Sequence, residues 1–404
     1  MTGKPAAHTH GEWWRPMRGR DPGEAHRAST SLELLFDLCF VVAVAQAAAQ
    51  LHHALAEGHL ATGLVGYAMV FFAIWWAWMN FTWFASAYDP DDVPYRLLTL
   101  LQMAGVLVLA AGVPAGLTHY DFTIITIGYV VMRIALVGQW LRAATEHSAG
   151  RSASVRYAIG VSLVQAGWVA RLWLPGAAGL AGFAILVLAE IAVPIWAESR
   201  GRLTPWHPGH IADRYGAFII IVLGEVVLAT LAAVQAALSQ QAAAGPVLLV
   251  ACGSLLLVFS LWWIYVTGTE VHLTSLRTAL VWGYGHYACF AAVAALGAGL
   301  ELAIDTLDHH THLSERAAAA SVAIPVAVFM IMLARLHHVA QTGAIGHPML
   351  IATGVVIVIL VALSAPALGL GIAVLLMGVA VAVTLAVSLA LTARRARRPG
   401  RASV

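Results

Sequence analysis

The stretch Ser31-Leu-Glu-Leu-Leu-Phe-Asp-Leu-Cys-Phe40 places two acids, Glu33 and Asp37, at the start of a long apolar run. A helix of about 20 apolar residues crosses the roughly 30 Å of bilayer hydrocarbon, and the run is of that length. A carboxylate within hydrocarbon costs roughly 2.5–3.5 kcal/mol on insertion scales, so acids at such positions are usually functional. The stretch therefore predicts a membrane helix that also carries candidate site residues.

The composition extends this prediction to the whole chain. Of its 404 residues, 60% are hydrophobic and only 10% are charged, against about 25% charged in ordinary soluble domains. The three cysteines, Cys39, Cys252 and Cys289, lie in apolar runs without metal-ligand spacing and are interpreted as small hydrophobic residues. No cofactor or metal motif is recognised. Residues 1–30 are polar and do not have the apolar core of a signal peptide.

The hydropathy pattern predicts an all-α polytopic bundle of about 12 transmembrane helices with both termini cytoplasmic. Most of the 22 basic residues then lie in the termini or in cytoplasmic loops, as the positive-inside rule requires, and the tail that begins at Arg394 is the largest cluster. The predicted spans are 28–51, 62–85, 97–117, 122–144, 155–174, 178–197, 213–235, 246–267, 278–302, 317–336, 348–365 and 369–392.

A shift of 187 residues superimposes several features of the chain on one another. We interpret this as two parallel six-helix repeats, at 28–197 and 213–392, joined by a cytoplasmic linker at 198–212 and flanked by polar tails at 1–27 and 393–404. Sites in such proteins tend to lie near the membrane midplane between repeats. The superimposed features are Arg27 with Arg214, Trp75-Trp76 with Trp262-Trp263, Gly112 with Gly299, and, one residue out of step, Asp37 with Glu225.

Asp37 and Glu225 are the leading candidates for an intramembrane site. If Arg27 and Arg214 mark the cytoplasmic interface, these acids lie about 15 and 16 Å deeper, because a helix rises 1.5 Å per residue. Glu33 shares a helical face with Asp37, and two such acids are able to share a proton in a relay or a coupled carrier. The alternative is that they cap the helix and pack against neighbouring helices, a reading that is favoured for Glu33.

Other candidates lie within or at the ends of later spans. Arg133 needs a buried counter-charge, for which Asp37, Glu190 and Glu225 are available, and is either a structural ion pair or an anion site. Glu190 precedes Pro194, a residue able to interrupt the sixth span. His286 is either a proton carrier or a neutral histidine bonded to a backbone carbonyl, and Glu301 ends the same span at the outer surface.

Two loops carry acids or histidines. The cytoplasmic loop with Asp89, Asp91 and Asp92 either binds a cation or gates the cytoplasmic side, or is a solvated turn with Arg96 as the partner. The outer loop at 305–312 has aspartates and histidines without a known metal-ligand spacing. An ordinary polar loop is the favoured interpretation there, with a divalent-ion or pH-sensing patch as the alternative.

Four strings resemble the bacterial low temperature requirement protein A family: Glu33-Leu-Leu-Phe-Asp37-Leu-Cys-Phe-Val, Asp89-Pro-Asp-Asp-Val-Pro-Tyr-Arg96, Arg214-Tyr-Gly-Ala-Phe-Ile-Ile-Ile-Val-Leu-Gly-Glu225 and Tyr284-Gly-His286. The resemblance extends over most of residues 28–390. It implies a multi-pass inner-membrane protein linked by name to growth in the cold, and it brings no substrate, reaction or catalytic residue. Asp213 stands where the family usually has Glu, which preserves the charge.

Three functions follow from these patterns. The leading one is a proton-linked transporter or channel for a small solute or ion. The alternatives are a non-catalytic membrane organiser or sensor that supports growth in the cold, and a membrane-embedded lipid-modifying enzyme that uses the acids and His286 for proton transfer. The expected partners are membrane lipids and an unidentified solute or ion, with a homo-oligomer as an open alternative. No nucleic-acid partner is expected.

Overall fold

The structure is a computed structural model that describes residues 13–24, 27–201, 203–239, 244–267, 273, 275–308, 311, 313–340 and 348–396. The described part of the chain is all-helical and contains no strand. Among the loop residues considered above, His309, His310 and His312 lie outside the described residues, as does the basic tail from residue 397 onward.

The described residues form thirteen α-helices and one 3-10 turn, Ser148–Gly150, joined by loops. The α-helices are α1 Ser31–Ala56, α2 Leu60–Ala87, α3 Val93–His119, α4 Thr123–Glu146, α5 Arg151–Arg171, α6 Gly176–Glu198, α7 Pro208–Ser239, α8 Ala244–Val266, α9 Leu276–Leu307, α10 Glu315–Val339, α11 Pro348–Leu363, α12 Ala365–Leu368 and α13 Leu370–Ala396.

Ten of the described helices are long and apolar enough to cross a membrane, so the protein is a multi-pass membrane protein. The predicted fifth and eleventh spans are helical but fall outside these ten. Helix α5 carries Arg151, Arg156 and Arg171 within its 21 residues, and α11 has only 16 residues. Pro194, which the sequence offered as a residue able to interrupt the sixth span, lies inside the continuous helix α6.

The chain divides into two compact units. Unit one comprises Met1–Phe40, Ala77–Gly112 and Phe122–Ile211, and unit two comprises Val41–Trp76, Val113–Asp121 and Ala212–Val404. The division passes through α1, α2 and α3. The two six-helix repeats and their boundaries stay a prediction.

Unit one is built on close helix packing and a buried aromatic core. Helix α5 packs between α4 and α6. A Cβ atom on Gly105 of α3 would lie 2.8 Å from the Gly128 carbonyl oxygen of α4, so the glycines let these two backbones approach. The rings of Phe84 and Trp140 meet edge to face with their centroids 4.8 Å apart.

The N-terminal segment 13–24 is fixed to unit one. Met17 is fully buried, and its backbone N–H donates to Glu146 at 2.5 Å. The backbone N–H of Arg20 donates to the Ala87 carbonyl oxygen at 3.0 Å, at the end of α2. The described part of the predicted tail therefore packs against the helix ends.

Unit two is held by two close helix contacts, α9 with α10 and α8 with α13. A Cβ atom on Gly378 of α13 would lie 2.7 Å from the Gly253 carbonyl oxygen of α8. A Cβ atom on Gly299 of α9 would lie still closer to the Ser321 carbonyl oxygen of α10. Helices gain little hydrophobic energy from association inside lipid, so small residues that permit close van der Waals packing stabilise such contacts.

Candidate functional site

A cavity of about 310 Å³ lies within unit two. It is lined by side chains from residues 44–49 of α1, 222–232 of α7 and 294–301 of α9. We call it the Glu225 cavity. Small residues leave this space open, among them Ala48, Ala229 and Gly297. Apart from Glu225 and Glu301, every lining residue in the described part of the chain is Val, Leu, Ala or Gly.

Glu225 is the acid of α7 that faces this space. Its side chain is partly buried, and among the described residues no side chain or backbone group forms a hydrogen bond or an ion pair with it. Glu225 lies near the middle of the 32-residue helix α7. The cavity therefore reaches the middle of a membrane helix and ends there at a carboxylate without a bonded partner.

Glu301 is the second acid of the cavity and lies nearer to a helix end, in the last turns of α9. Beyond it, His52 of α1 contacts two acids. Its Nδ1 atom is 3.7 Å from Glu301 Oε2, and its Nε2 atom is 2.8 Å from Asp305 Oδ2. Glu225, Glu301 and the His52–Asp305 pair thus follow one another from mid-helix towards the C-terminal ends of α1 and α9.

The sequence candidates do not all gather at this cavity. Arg133 and Glu190 form an ion pair within unit one, with Arg133 Nη2 3.2 Å from Glu190 Oε1. Trp168 Nε1 donates to the same carboxylate oxygen at 3.1 Å, and the guanidinium lies 5.0 Å from the ring centre of Tyr129. Of the three acids that the sequence offered as counter-charges for Arg133, Glu190 is the one that forms the ion pair.

Asp37 and Glu33 are both buried in unit one and occupy bonded positions. Trp78 Nε1 donates to Asp37 Oδ1 at 2.7 Å. Glu33 forms a capping box with Thr30: the Thr30 backbone N–H donates to Glu33 Oε2 at 2.8 Å, and the Glu33 N–H donates to Thr30 Oγ1 at 3.2 Å. His210 Nε2 lies 3.2 Å from the same carboxylate. The geometry of Glu33 is thus that of a helix cap.

The three aspartates of the loop between α2 and α3 each face an arginine. Asp91 accepts two bonds from Arg96 at 2.8 and 2.9 Å, as the sequence suggested. Asp89 and Asp92 have arginine partners from more distant parts of the chain, Arg27 at 3.5 Å and Arg142 at 2.5 Å. Each aspartate of this loop is therefore paired with an arginine, which leaves little negative charge for a bound cation.

The pKa values of Asp89 and Asp92 are shifted in opposite directions, because only Asp92 receives hydrogen bonds that outweigh burial. Burial raises the pKa of Asp89 to about 6, and the neighbouring charge of Glu33 acts in the same direction. For Asp92, burial also disfavours the charge, but the hydrogen bonds from Arg142 and from the backbone of Arg15 and Tyr95 outweigh it and lower the pKa.

His286 and Arg214 are buried in unit two. His286 Nδ1 lies 2.8 Å from the Trp282 carbonyl oxygen, and its Nε2 lies 3.2 Å from the Tyr265 hydroxyl. Because a carbonyl oxygen only accepts, Nδ1 carries the proton and Nε2 accepts from Tyr265. This is the arrangement of a neutral histidine bonded to a backbone carbonyl, the second of the two readings given for it.

The sequence did not identify His52, Trp168, Arg142 or His210 as partners of the candidate acids. His52 precedes His53 in an Ala-rich helix end, and Arg142 lies near the end of a predicted span, where basic residues are common, so neither carried a local signal. Asp305 was assigned to a loop, whereas it lies in the last turn of α9. Among the described residues, no group of three His, Cys, Asp or Glu side chains has a geometry that holds a metal ion.

Comparison with known proteins places the chain in a family. The bacterial low temperature requirement A protein (LtrA) family matches residues 28–387. An uncharacterized protein of Rhizobium meliloti (strain 1021) is 25% identical over 277 residues, which cover 64% of this chain and 62% of that protein. The match therefore spans less than two thirds of this relative. With the family matched over nearly all of its membrane helices, the chain belongs to the bacterial low temperature requirement A protein family.

Proposed function

We propose that this protein is a proton-linked transporter or channel of the bacterial inner membrane, in which Glu225 exchanges a proton and contacts the transported solute or ion. The observation that carries the proposal is the position of Glu225, which lines a cavity at mid-helix without a bonded partner among the described residues. Ionisable residues that face a cavity inside a membrane usually mark an ion or proton pathway.

The order of polar groups along α9 supports an access route to Glu225. Glu301 lines the same cavity, and His52 contacts both Glu301 and Asp305. With cytoplasmic termini and about 12 spans, α1, α7 and α9 run from the cytoplasm outward, so the cavity lies in the outer half of the membrane. Glu301 and His52 then lie between Glu225 and the outer surface, where they are able to pass protons inward.

The helix positions support the proposed duplication. Moved by 187 residues, α1, α3 and α4 overlap α7, α9 and α10 respectively, and the other helices of the first half also fall on helices of the second. The two halves have diverged in chemistry. Asp37 accepts a hydrogen bond from Trp78, whereas Glu225 faces the cavity. Under this proposal the second half carries the principal site.

Proton flux into proteoliposomes tests the function. The purified protein is reconstituted with a trapped pH dye, and a potassium-diffusion potential is imposed. We expect flux in the wild type, its loss in Glu225→Gln, and its retention in Glu57→Gln, a matched change at an exposed glutamate after α1. Flux that is absent from the wild type, or unchanged in a correctly inserted Glu225→Gln protein, would refute the proposal.

A second candidate function is a non-catalytic membrane organiser. The observation that favours it is the set of buried charge pairs in unit one, Arg133 with Glu190 and Arg142 with Asp92, which fix helices and loops to one another. It predicts that Glu225→Gln changes stability in detergent and that no solute moves. The lipid-enzyme alternative is weakened, because both ring nitrogens of His286, its proposed base, are bonded within the helices.

A further inference from the structure

We infer that the Glu225 cavity binds a small organic ammonium ion whose nitrogen carries apolar substituents. The inference deepens the proposed function, because such a cation would be the solute whose movement is linked to the proton. It rests on the charge of the cavity, on the chemistry of its walls and on its open side.

The charge of the cavity selects a cation. Among the described residues, two carboxylates line it and no basic side chain does. His52 lies behind Glu301 and is shared between Glu301 and Asp305, so even a protonated His52 offsets one of these two charges only. Glu225 has no such partner among the described residues. An anion would meet net negative charge here, whereas a cation would supply the missing counter-charge of Glu225.

The walls select an organic cation over a metal ion. Magnesium and calcium ions take six or more oxygen ligands, and of the described side chains that line this cavity only Glu225 and Glu301 provide oxygen. An alkali ion that enters would likewise exchange its hydration shell for methyl groups. An ammonium ion with alkyl substituents places its charge beside a carboxylate and its carbon surface against Val and Ala side chains. Small-molecule sites usually combine a mostly apolar lining with a few polar groups in this way.

A volume of about 310 Å³ lies at the lower end of the range of ligand pockets, which is roughly 300–1,000 Å³. The cavity therefore suits a compact cation. Its edge on α7 is open, since Leu228 is 62% exposed and Ala232 is also exposed. A ligand with apolar substituents is able to reach this open edge through the hydrocarbon. A hydrated metal ion is not able to take this route, because the hydrocarbon strongly disfavours its charge.

The two carboxylates are expected to contribute unequally. Glu301 is already close to His52, at 3.7 Å, whereas Glu225 faces the space without a counter-charge. Removing the charge of Glu225 should therefore lower the affinity for the cation more than removing the charge of Glu301. Filling the cavity by Ala229→Phe should remove the space for the substituents and abolish binding while both acids remain.

Isothermal titration calorimetry with tetraethylammonium chloride tests the inference on the full chain in detergent micelles. Potassium chloride at the same concentration serves as the ionic-strength control. We expect saturable binding in the wild type, at least about tenfold weaker binding in Glu225→Gln, equivalent to about 1.4 kcal/mol, and no binding in Ala229→Phe. Glu57→Gln, whose side chain is 67% exposed, should bind like the wild type.

The pH dependence gives a second readout with the same probe, because the charge of tetraethylammonium does not change with pH. Binding should weaken as the pH falls and Glu225 becomes protonated. Glu301 and Asp305 of α9 and His52 of α1 also face this region. The matched titration of Glu225→Gln therefore reports the part due to these groups, and it should be the flatter of the two curves.

Three results would overturn the inference. They are an absence of saturable binding in the wild type, equal binding in the wild type and a folded Glu225→Gln protein, and a co-purified lipid that occupies the cavity and is not displaced by the probe. Each is separable from the proposed function. Proton flux without tetraethylammonium binding would leave the proposed function standing and remove the ligand class. Binding without flux would leave the ligand class standing and remove the proton linkage.

Discussion

The Arg133–Glu190 ion pair allows a quantitative test of what holds unit one together. Its atoms are 3.2 Å apart, and the two side chains are 3% and 1% exposed. At this distance the gross attraction is about 5 kcal/mol with an effective dielectric constant of about 20. Glu190→Gln removes the charge but keeps an oxygen that is able to accept the bond from Trp168, so the loss in stability reports mainly on the unpaired guanidinium.

Removal of one partner from a buried pair usually costs about 3–5 kcal/mol. The ring of Tyr129, 5.0 Å from the guanidinium, continues to stabilise the positive charge by a cation–π contact worth about 2 kcal/mol when desolvated. We therefore expect Glu190→Gln to lower the free energy of unfolding by about 3 kcal/mol. The double replacement of Arg133 and Glu190 by Met should recover most of this loss, since apolar substitutes for both partners are often neutral.

Equilibrium unfolding in mixed detergent micelles, followed by tryptophan fluorescence, measures both variants against the wild type. A Glu190→Gln protein as stable as the wild type, or a double variant less stable than Glu190→Gln, would refute the reasoning. The double variant should also keep its proton flux in proteoliposomes. Loss of flux at normal stability would place this pair in the transport pathway and contradict its structural role.

Three further predictions concern the loop before α3 and the packing of α8. Asp92→Asn should cost about 3 kcal/mol, because it removes the buried carboxylate that lies 2.5 Å from Arg142 and leaves this arginine with Glu146 as its remaining acidic partner. It also weakens the bond from the Arg15 backbone N–H to Asp92, so the N-terminal segment should become accessible to trypsin in limited proteolysis. Asp89 has a folded pKa of about 6 against 3.8 when unfolded, so its ionisation destabilises the fold as the pH rises through this interval. Asp89→Asn should thus be more stable than the wild type by about 3 kcal/mol at pH 7.5, a difference that disappears towards pH 4 in a series of thermal melts. Gly253→Leu should cost at least about 1–3 kcal/mol by overpacking, because its Cβ would lie 2.7 Å from the α13 backbone. Gly216→Ala, which meets nothing within 4 Å, is the control in the same melts.

Much of the fold could be predicted because hydropathy and helix length are local properties. The first span was predicted at 28–51 and the helix runs over Ser31–Ala56, and each of the other predicted spans also lies on a helix. The sequence left open whether Pro194 interrupts the sixth span, and α6 is continuous there. A proline removes one hydrogen bond from a helix, and whether the helix breaks there depends on its neighbours, which the sequence does not specify.

The candidate site could be predicted only in part. Glu225 and Glu301 were both recognised as acids within spans, but nothing in their spacing indicated that they line one cavity. The sequence offered three acids as counter-charges for Arg133, namely Asp37, Glu190 and Glu225. Nothing local to Arg133 indicated which of them would pair with it. The partner came from α6, where Glu190 lies 3.2 Å away.

The sequence by itself determined the membrane character, the helix positions and the family of this protein, because each depends on residues that are neighbours along the chain. The tertiary structure alone decided which charges are neutralised and which remains available. Glu33, Asp92 and Glu190 are bonded by groups that packing brings from distant positions, whereas Glu225 is left facing a space lined by α1, α7 and α9. Carboxylates of the same kind thus differ in role because burial and partners, rather than residue type, set the free energy of a charge inside the membrane.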